Sequence, residues 1–144
     1  MKKVILVLLL LLSLVGCKAN SNEVVSTLDA PEAIGPYSQA RIVDGLIYTS
    51  GQIGLDPKTG LLQEGLEKQC EQVFENIEAI LLAAGSDISK VIKTTVYITD
   101  INDFAKVNEI YAKYFKEPFP ARSCVEVSAL PKGALIECEV ISSK

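Results

Sequence analysis

Apolar residues recur at helical spacing between Glu64 and Ala84: Leu66, Cys70, Val73, Ile77, Ile80, Leu81 and Ala84. Gly85 follows as a natural C-cap, so this stretch predicts one long amphipathic helix with Cys70 as a core residue. Phe104, Val107, Tyr111 and Tyr114 stripe a second helix, entered through Asp100-Ile101-Asn102-Asp103 and ended by Glu117-Pro118-Phe119-Pro120. Elsewhere the period is two. Ile42-Val43 and Leu46-Ile47-Tyr48-Thr49-Ser50 flank Asp44-Gly45, a tight hairpin turn. Lys90–Thr99 sets Ile92, Thr94, Val96 and Ile98 against Lys93, Thr95 and Tyr97, which is a strand.

Two further strands close the chain, Pro120-Ala121-Arg122-Ser123-Cys124-Val125-Glu126-Val127 and Ile136-Glu137-Cys138-Glu139-Val140. Leu130-Pro131-Lys132-Gly133 between them supplies turn residues, so an antiparallel hairpin is expected. If Ser123, Val125 and Val127 share a core with Ile136, Cys138 and Val140, then Arg122, Cys124 and Glu137 lie together on the other face. With the turn near Pro131, Arg122 and Glu137 stand roughly 13 Å apart along the backbone at ~3.3 Å per residue, or come from different subunits.

The order β-β-α-β-α-β-β predicts an α+β domain, a mostly antiparallel sheet with two helices on one face. Two helices cover only one face. The bare face, with Leu135 and Ile141 beside charged residues, is partly apolar and predicts a homo-oligomer.

The N-terminus has a separate pattern. Met1-Lys2-Lys3 precedes an aliphatic run from Val4 to Val15, short of the about 20 residues that span a bilayer, and Leu14-Val15-Gly16-Cys17 resembles a bacterial lipobox. Residues 1–16 are expected to be a lipoprotein signal peptide and Cys17 the lipidated mature N-terminus, with an uncleaved anchor as the competing reading. Residues 17–28, containing Asn20-Ser21-Asn22-Glu23, read as a flexible tether, and residues 29–144 as the domain. This places the protein in the cell envelope, anchored outside the cytoplasm.

Loss of residues 1–16 removes Lys2 and Lys3 and no acid, taking the formal charge from −4 to −6. An acidic body without a basic run argues against a nucleic-acid partner. The chain has no histidine, so histidine-based triads and histidine metal sites are excluded. Cys70, Cys124 and Cys138 remain beside Cys17, with no zinc-like spacing, and their expected faces predict no structural disulfide.

Several residues have two readings. Tyr37, fixed behind Gly35-Pro36, either presents its ring to a ligand or packs its loop onto the domain. Ser50 either binds a ligand or closes its turn, and the Ser50-Gly51-Gln52 stretch ends or bulges its strand unless a neighbour must approach the glycine closely. Asn102 either caps the second helix or points into a site, capping being the default.

Ala33-Ile34-Gly35-Pro36-Tyr37-Ser38-Gln39, Thr49-Ser50-Gly51-Gln52, Val91–Tyr97, Asn102-Asp103-Phe104 and Pro120–Val127 together resemble the Rid (YjgF) family, and within it the RidA branch of enamine/imine deaminases. The resemblance covers about Ala30 to Val140. It implies a chorismate-mutase-like homotrimer with three clefts between subunits. It implies hydrolysis of 2-aminoacrylate-type enamines, 2-iminopropanoate and 2-iminobutanoate to 2-oxo acids and ammonia, without cofactor or metal. By the same resemblance Arg122 holds the substrate carboxylate, helped by the Cys124 backbone N–H, and Glu137 orients or activates the attacking water. The resemblance also implies that Tyr37, Ser50 and Asn102 line the cleft. Most relatives are cytoplasmic, so the leader departs from the pattern.

The chemistry suits these residues. A planar guanidinium binds a carboxylate bidentately, each charge-assisted bond contributing about 1.5–3 kcal/mol. One carboxylate can act as base and then acid in imine hydrolysis, for roughly 10²–10⁴-fold. Cys124 as nucleophile lacks a neighbouring base. Two alternatives stand beside the deaminase: a lipoprotein that binds small carboxylates or acts as a holdase without turnover, and a ribonuclease, which the acidic body disfavours. An exposed Arg122–Glu137 ion pair by itself would signify little.

Overall fold

A computed structural model describes residues 22–144. The proposed signal peptide, Cys17 and the start of the tether lie outside the described residues. The strands are β1 (Asn22–Val25), β2 (Ala40–Val43), β3 (Leu46–Thr49), β4 (Gln52–Ile53), β5 (Val91–Ile98), β6 (Ala121–Glu126) and β7 (Ile136–Ser143). The helices are α1 (Gly65–Ala83) and α2 (Phe104–Tyr114). The sheet runs β1-β2-β3-β7-β5-β6, with β4 also on β7. Every pairing is antiparallel except β5 with β6, which are parallel. A mostly antiparallel sheet carrying two helices is therefore the observed α+β fold.

Local chemistry explains the elements. Asp44 and Gly45 adopt φ of 52° and 81°, the left-handed pair that a two-residue hairpin turn requires between Val43 and Leu46. At the end of α1, Gly85 has φ 79°, and the N–H groups of Gly85 and Ser86 bond the Leu82 and Leu81 carbonyls. That is a Schellman closure. The buried stripe of α1 (Cys70, Val73, Phe74, Ile77, Ile80, Leu81) packs on the inner residues of the sheet: Ile47, Val96, Ile98, Ile136, Cys138 and Val140. Phe74 meets Tyr111 and Phe115 edge-on at 5.7 and 5.5 Å, tying α2 to α1.

β3 and β4 are one strand with an interruption. Tyr48 pairs with Ile141 and Gln52 with Cys138, so β3–β4 advances four residues while β7 advances three. The extra residue is a bulge at Ser50-Gly51, as the glycine there suggested.

Three expectations need correcting. Residues 17–28 were expected to be a tether, but Asn22–Val25 form an edge strand paired with β2. The expected β6–β7 hairpin does not exist: β5 lies between them, and α2 carries the chain over from β5 to parallel β6. Alternation shows that a segment is a strand, not which strand it pairs with. Consequently Arg122 and Cys124 do not share a face with Glu137. Arg122 pairs with Thr94, whose side chain points into the helical layer, whereas Glu137 pairs with Tyr97 on the bare face. On edge strand β6 the apolar Val125 is the outward residue, 44% exposed.

Candidate functional site

The bulge places Glu137. An added Cβ on Gly51 would stand 1.9 Å from Glu137 Oε1 and 2.7 Å from its Cδ, so the carboxylate occupies the space that the missing side chain leaves. Burial raises the Glu137 carboxyl above the usual glutamate range, and Glu139 on the same face raises it further. Among the described residues no cation forms an ion pair with it. A half-buried carboxylate without a counter-charge is easily protonated, which suits a group that must take up and return a proton.

Glu137 forms part of the wall of a cavity of about 310 Å³ shared with Tyr37, Ser50, Gly51, Ile53 and Leu55. Tyr37 is 48% exposed, and its Oη accepts a bond from the Ile34 N–H at 3.2 Å. The loop behind it is held by Gln39, 3% exposed. The Gln39 Oε1 accepts from Thr27 N at 2.7 Å, and its Nε2 donates to Pro31 O at 2.8 Å and Thr27 O at 3.0 Å. Ser50 donates its Oγ–H to Ser38 O at 2.7 Å, tying its strand end to the Tyr37 loop, and the residue lines the cavity.

Arg122 belongs to a different neighbourhood. Its Nη2 donates to Asn108 Oδ1 at 2.6 Å, and its guanidinium carbon lies 4.6 Å from the Tyr111 ring centre and 5.5 Å from that of Phe104. All three partners are on α2. Cys124, two residues along the same face, is half-buried against the core; burial raises its thiol and Arg122 partly opposes this.

Asn102 does not join either group. It is exposed, and both its N–H and Nδ2 donate to Asp100 Oδ1 at 2.9 Å within a short 3₁₀ turn. It neither caps α2 nor meets Arg122. The asparagine that does is Asn108, which the sequence reading missed. The signal was present: Asn108 lies four residues after Phe104 and three before Tyr111, at the edge of the apolar stripe. Gln39 was likewise visible only as part of a motif.

The chain therefore presents two half-sites. One is the cavity with Glu137, Tyr37 and Ser50; the other is the β6–α2 edge with Arg122, Asn108 and Cys124. They lie on opposite sheet faces, three residues out of register and separated by β5. That offset is about 10 Å along the strands and about 10 Å across them. A single copy cannot bring both to one small molecule.

The family model described as Endoribonuclease L-PSP matches residues 27–144. The chain belongs to this family, the Rid/L-PSP proteins. This Rid chain is 55% identical over 120 residues to human 2-iminobutanoate/2-iminopropanoate deaminase, covering 83% of this chain and 88% of that protein. It is also 55% identical over 123 residues to a RutC family protein of Pyrococcus horikoshii, covering 85% and 98% respectively. The crystal structure of YyfA from Yersinia pestis, described as a Rid-family protein of unknown function, superposes with a TM-score of 0.84 at 56% identity, over 86% of this chain and all of that one. The fold of this Rid chain is thus that of its relatives, whose given functions range from deaminase to unknown.

Proposed function

We propose that this Rid-family protein hydrolyses 2-imino acids such as 2-iminobutanoate and 2-iminopropanoate, with their enamine tautomers, to 2-oxo acids and ammonia. The observation that carries the reading is that the chain presents, among the described residues, a guanidinium without an ion pair at one sheet edge and a half-buried carboxylate without one on an open cavity of the opposite face. Human deaminase, similar over most of both chains, supports the same chemistry.

In this reading Arg122 holds the substrate carboxylate through its free N–H edge. Glu137 takes a proton from water as the water oxygen bonds to the imine carbon. With the imine nitrogen protonated, this addition gives the neutral carbinolamine. Glu137 then returns its proton to nitrogen, the carbon–nitrogen bond breaks as the hydroxyl oxygen forms the carbonyl, and the hydroxyl proton passes to the departing ammonia, so that ammonium and the 2-oxo acid leave. The apolar walls at Ile53 and Leu55 take the aliphatic side chain. Since the two half-sites sit on opposite sheet faces, the cleft forms between copies, one giving Arg122 and the next Glu137. The bare sheet face and the open edge of β6 are the surfaces for that assembly, a homotrimer.

The test is release of ammonia and 2-oxobutanoate from freshly generated 2-iminobutanoate by the parent, Arg122→Ala and Glu137→Ala. Turnover in the parent and loss in both variants support the reading. A parent that binds 2-oxobutanoate but never turns over the imine favours the carboxylate-binding alternative, and an active Glu137→Ala variant rejects the assigned base.

We also propose lipid anchoring at Cys17, outside the cytoplasm, on the strength of Met1-Lys2-Lys3, the Val4–Val15 run and Gly16-Cys17. Labelled fatty acid incorporated by the parent and not by Cys17→Ser supports it; equal labelling of the two, or none, rejects it.

A further inference from the structure

Arg122 is held without being neutralised. The four ion pairs among the described residues involve Lys106, Lys113 and Lys144 and leave Arg122 out. The acid that follows Asn108 in the chain, Glu109, is paired with Lys106 at 3.1 Å. What touches the guanidinium is an amide oxygen, Asn108 Oδ1 at 2.6 Å, and the rings of Tyr111 and Phe104. Tyr111 is itself fixed. It is 5% exposed, and its Oη shares a 3.0 Å bond with Oγ1 of Thr94, the register partner of Arg122.

We propose that Asn108, Tyr111 and Phe104 form a charge-neutral clamp that fixes the plane of the Arg122 guanidinium while leaving its positive charge for a substrate carboxylate. Asn108 is the positioning residue of that clamp. The inference rests on the reading that Arg122 receives the carboxylate and adds why the site selects one. A guanidinium has five N–H donors in one plane. Asn108 engages one corner, and the Tyr111 and Phe104 rings stand 4.6 and 5.5 Å from the guanidinium carbon, close enough for an attraction that restrains the group without neutralising it. The remaining edge presents parallel donors. An acid at position 108 would supply the same acceptor geometry but would also supply the anion, so that a ligand carboxylate would have to compete with it.

Positioning and mere support differ in which variant is the more harmful. A packing or hydrogen-bonding role for Asn108 makes the isosteric Asn108→Asp the mild change and Asn108→Ala the severe one. The clamp reverses that order for ligand binding. The probe is 2-oxobutanoate, titrated calorimetrically into the full chain, with thermal unfolding of each variant in parallel. Asn108→Asp is expected to bind on the order of 10- to 100-fold more weakly than the parent, with unfolding temperature unchanged or raised by the new ion pair. Asn108→Ala is expected to lose roughly 3- to 10-fold, through a less ordered guanidinium.

If Asn108→Asp binds as well as Asn108→Ala or better, the clamp is wrong. Arg122→Ala separates the two readings: if it abolishes binding while Asn108→Asp binds like the parent, only the clamp falls. If Arg122→Ala binds like the parent, the carboxylate reading falls and the clamp with it. A second readout needs no variant. In the parent the Arg122 Nη protons are expected as separate resonances from hindered rotation, and a single averaged signal overturns the clamp.

Discussion

Gly51→Ala tests whether the bulge exists to seat Glu137. The added Cβ would be 1.9 Å from Glu137 Oε1, against an ordinary contact of about 3.5 Å, so that oxygen must retreat by roughly 1.5 Å. The crowding atoms belong to the far part of a side chain, with Cγ itself at 3.0 Å, so rotation about the glutamate torsions relieves the clash without moving strand β7. An off-rotamer glutamate costs about 1 kcal/mol, and alanine's smaller unfolded-state entropy returns a similar amount. Stability is therefore expected to change little. Catalysis is not so tolerant, because a misplacement of about 1 Å costs on the order of 10²-fold. The expected result is kcat/KM for 2-iminobutanoate lowered about 100-fold with near-parental thermal unfolding. A double-mutant cycle sharpens it: in a Glu137→Ala background, adding Gly51→Ala should leave residual activity unchanged and raise stability by about 0.4–1 kcal/mol, because no glutamate is displaced. If Gly51→Ala alone keeps kcat/KM within about twofold of the parent, the seat is not where the chemistry occurs.

Other expectations follow from the same geometry. Burial and Glu139 raise the Glu137 carboxyl, so the folded state binds its proton more tightly than the unfolded state does. Ionisation then destabilises the fold as pH rises through the raised value, and the stability gained by Glu137→Gln over the parent should grow from acid to neutral pH. A constant difference contradicts this. The acid limb of the parent's kcat/KM profile should correspondingly lie above the ordinary glutamate range; a limb within that range rejects Glu137 as base. Burial pushes the Cys70 thiol up to about 12 and raises the fully buried Cys138 too, while Cys124 is half-exposed beside Arg122. Iodoacetamide should therefore label Cys124 before Cys70 and Cys138 in the folded protein, and 2-oxobutanoate should slow that labelling; peptide mass mapping reads both. Asn76 donates to the Ile53 and Leu55 carbonyls at 3.2 and 2.9 Å in the interior. Asn76→Ala should cost about 2–4 kcal/mol in urea unfolding, and a loss below about 0.5 kcal/mol contradicts the buried-amide account.

The sequence disclosed what is written locally. The period of α1, its Gly85 closure and the Asp44-Gly45 turn all follow from a few adjacent residues, and so does the significance of Gly51. What it concealed depends on partners far along the chain. The alternation of β6 is plain, but only the insertion of β5 decides that Arg122 faces the helices and Glu137 the bare side. An edge strand is also weakly patterned, since half its surface meets solvent or another copy. Thus the polar Asn22-Glu23 start of β1 read as a tether, with Val24 64% exposed. Asn102 was named because its neighbours match a motif, whereas Asn108 reaches Arg122 through the helical register. Resemblance singled out Arg122 and Glu137; their separation within one copy needed the fold.

In the proposed assembly each cleft takes its guanidinium from one copy and its carboxylate from the next. Co-refolding inactive Arg122→Ala with inactive Glu137→Ala in equal amounts, then assaying 2-iminobutanoate hydrolysis, tests it directly. In a cyclic assembly with random mixing, about a quarter of the clefts would unite an intact Arg122 with an intact Glu137, so about a quarter of parental activity should return. Mixed oligomers that form, as shown by differently tagged chains co-purifying, and yet stay as inactive as either variant would contradict it.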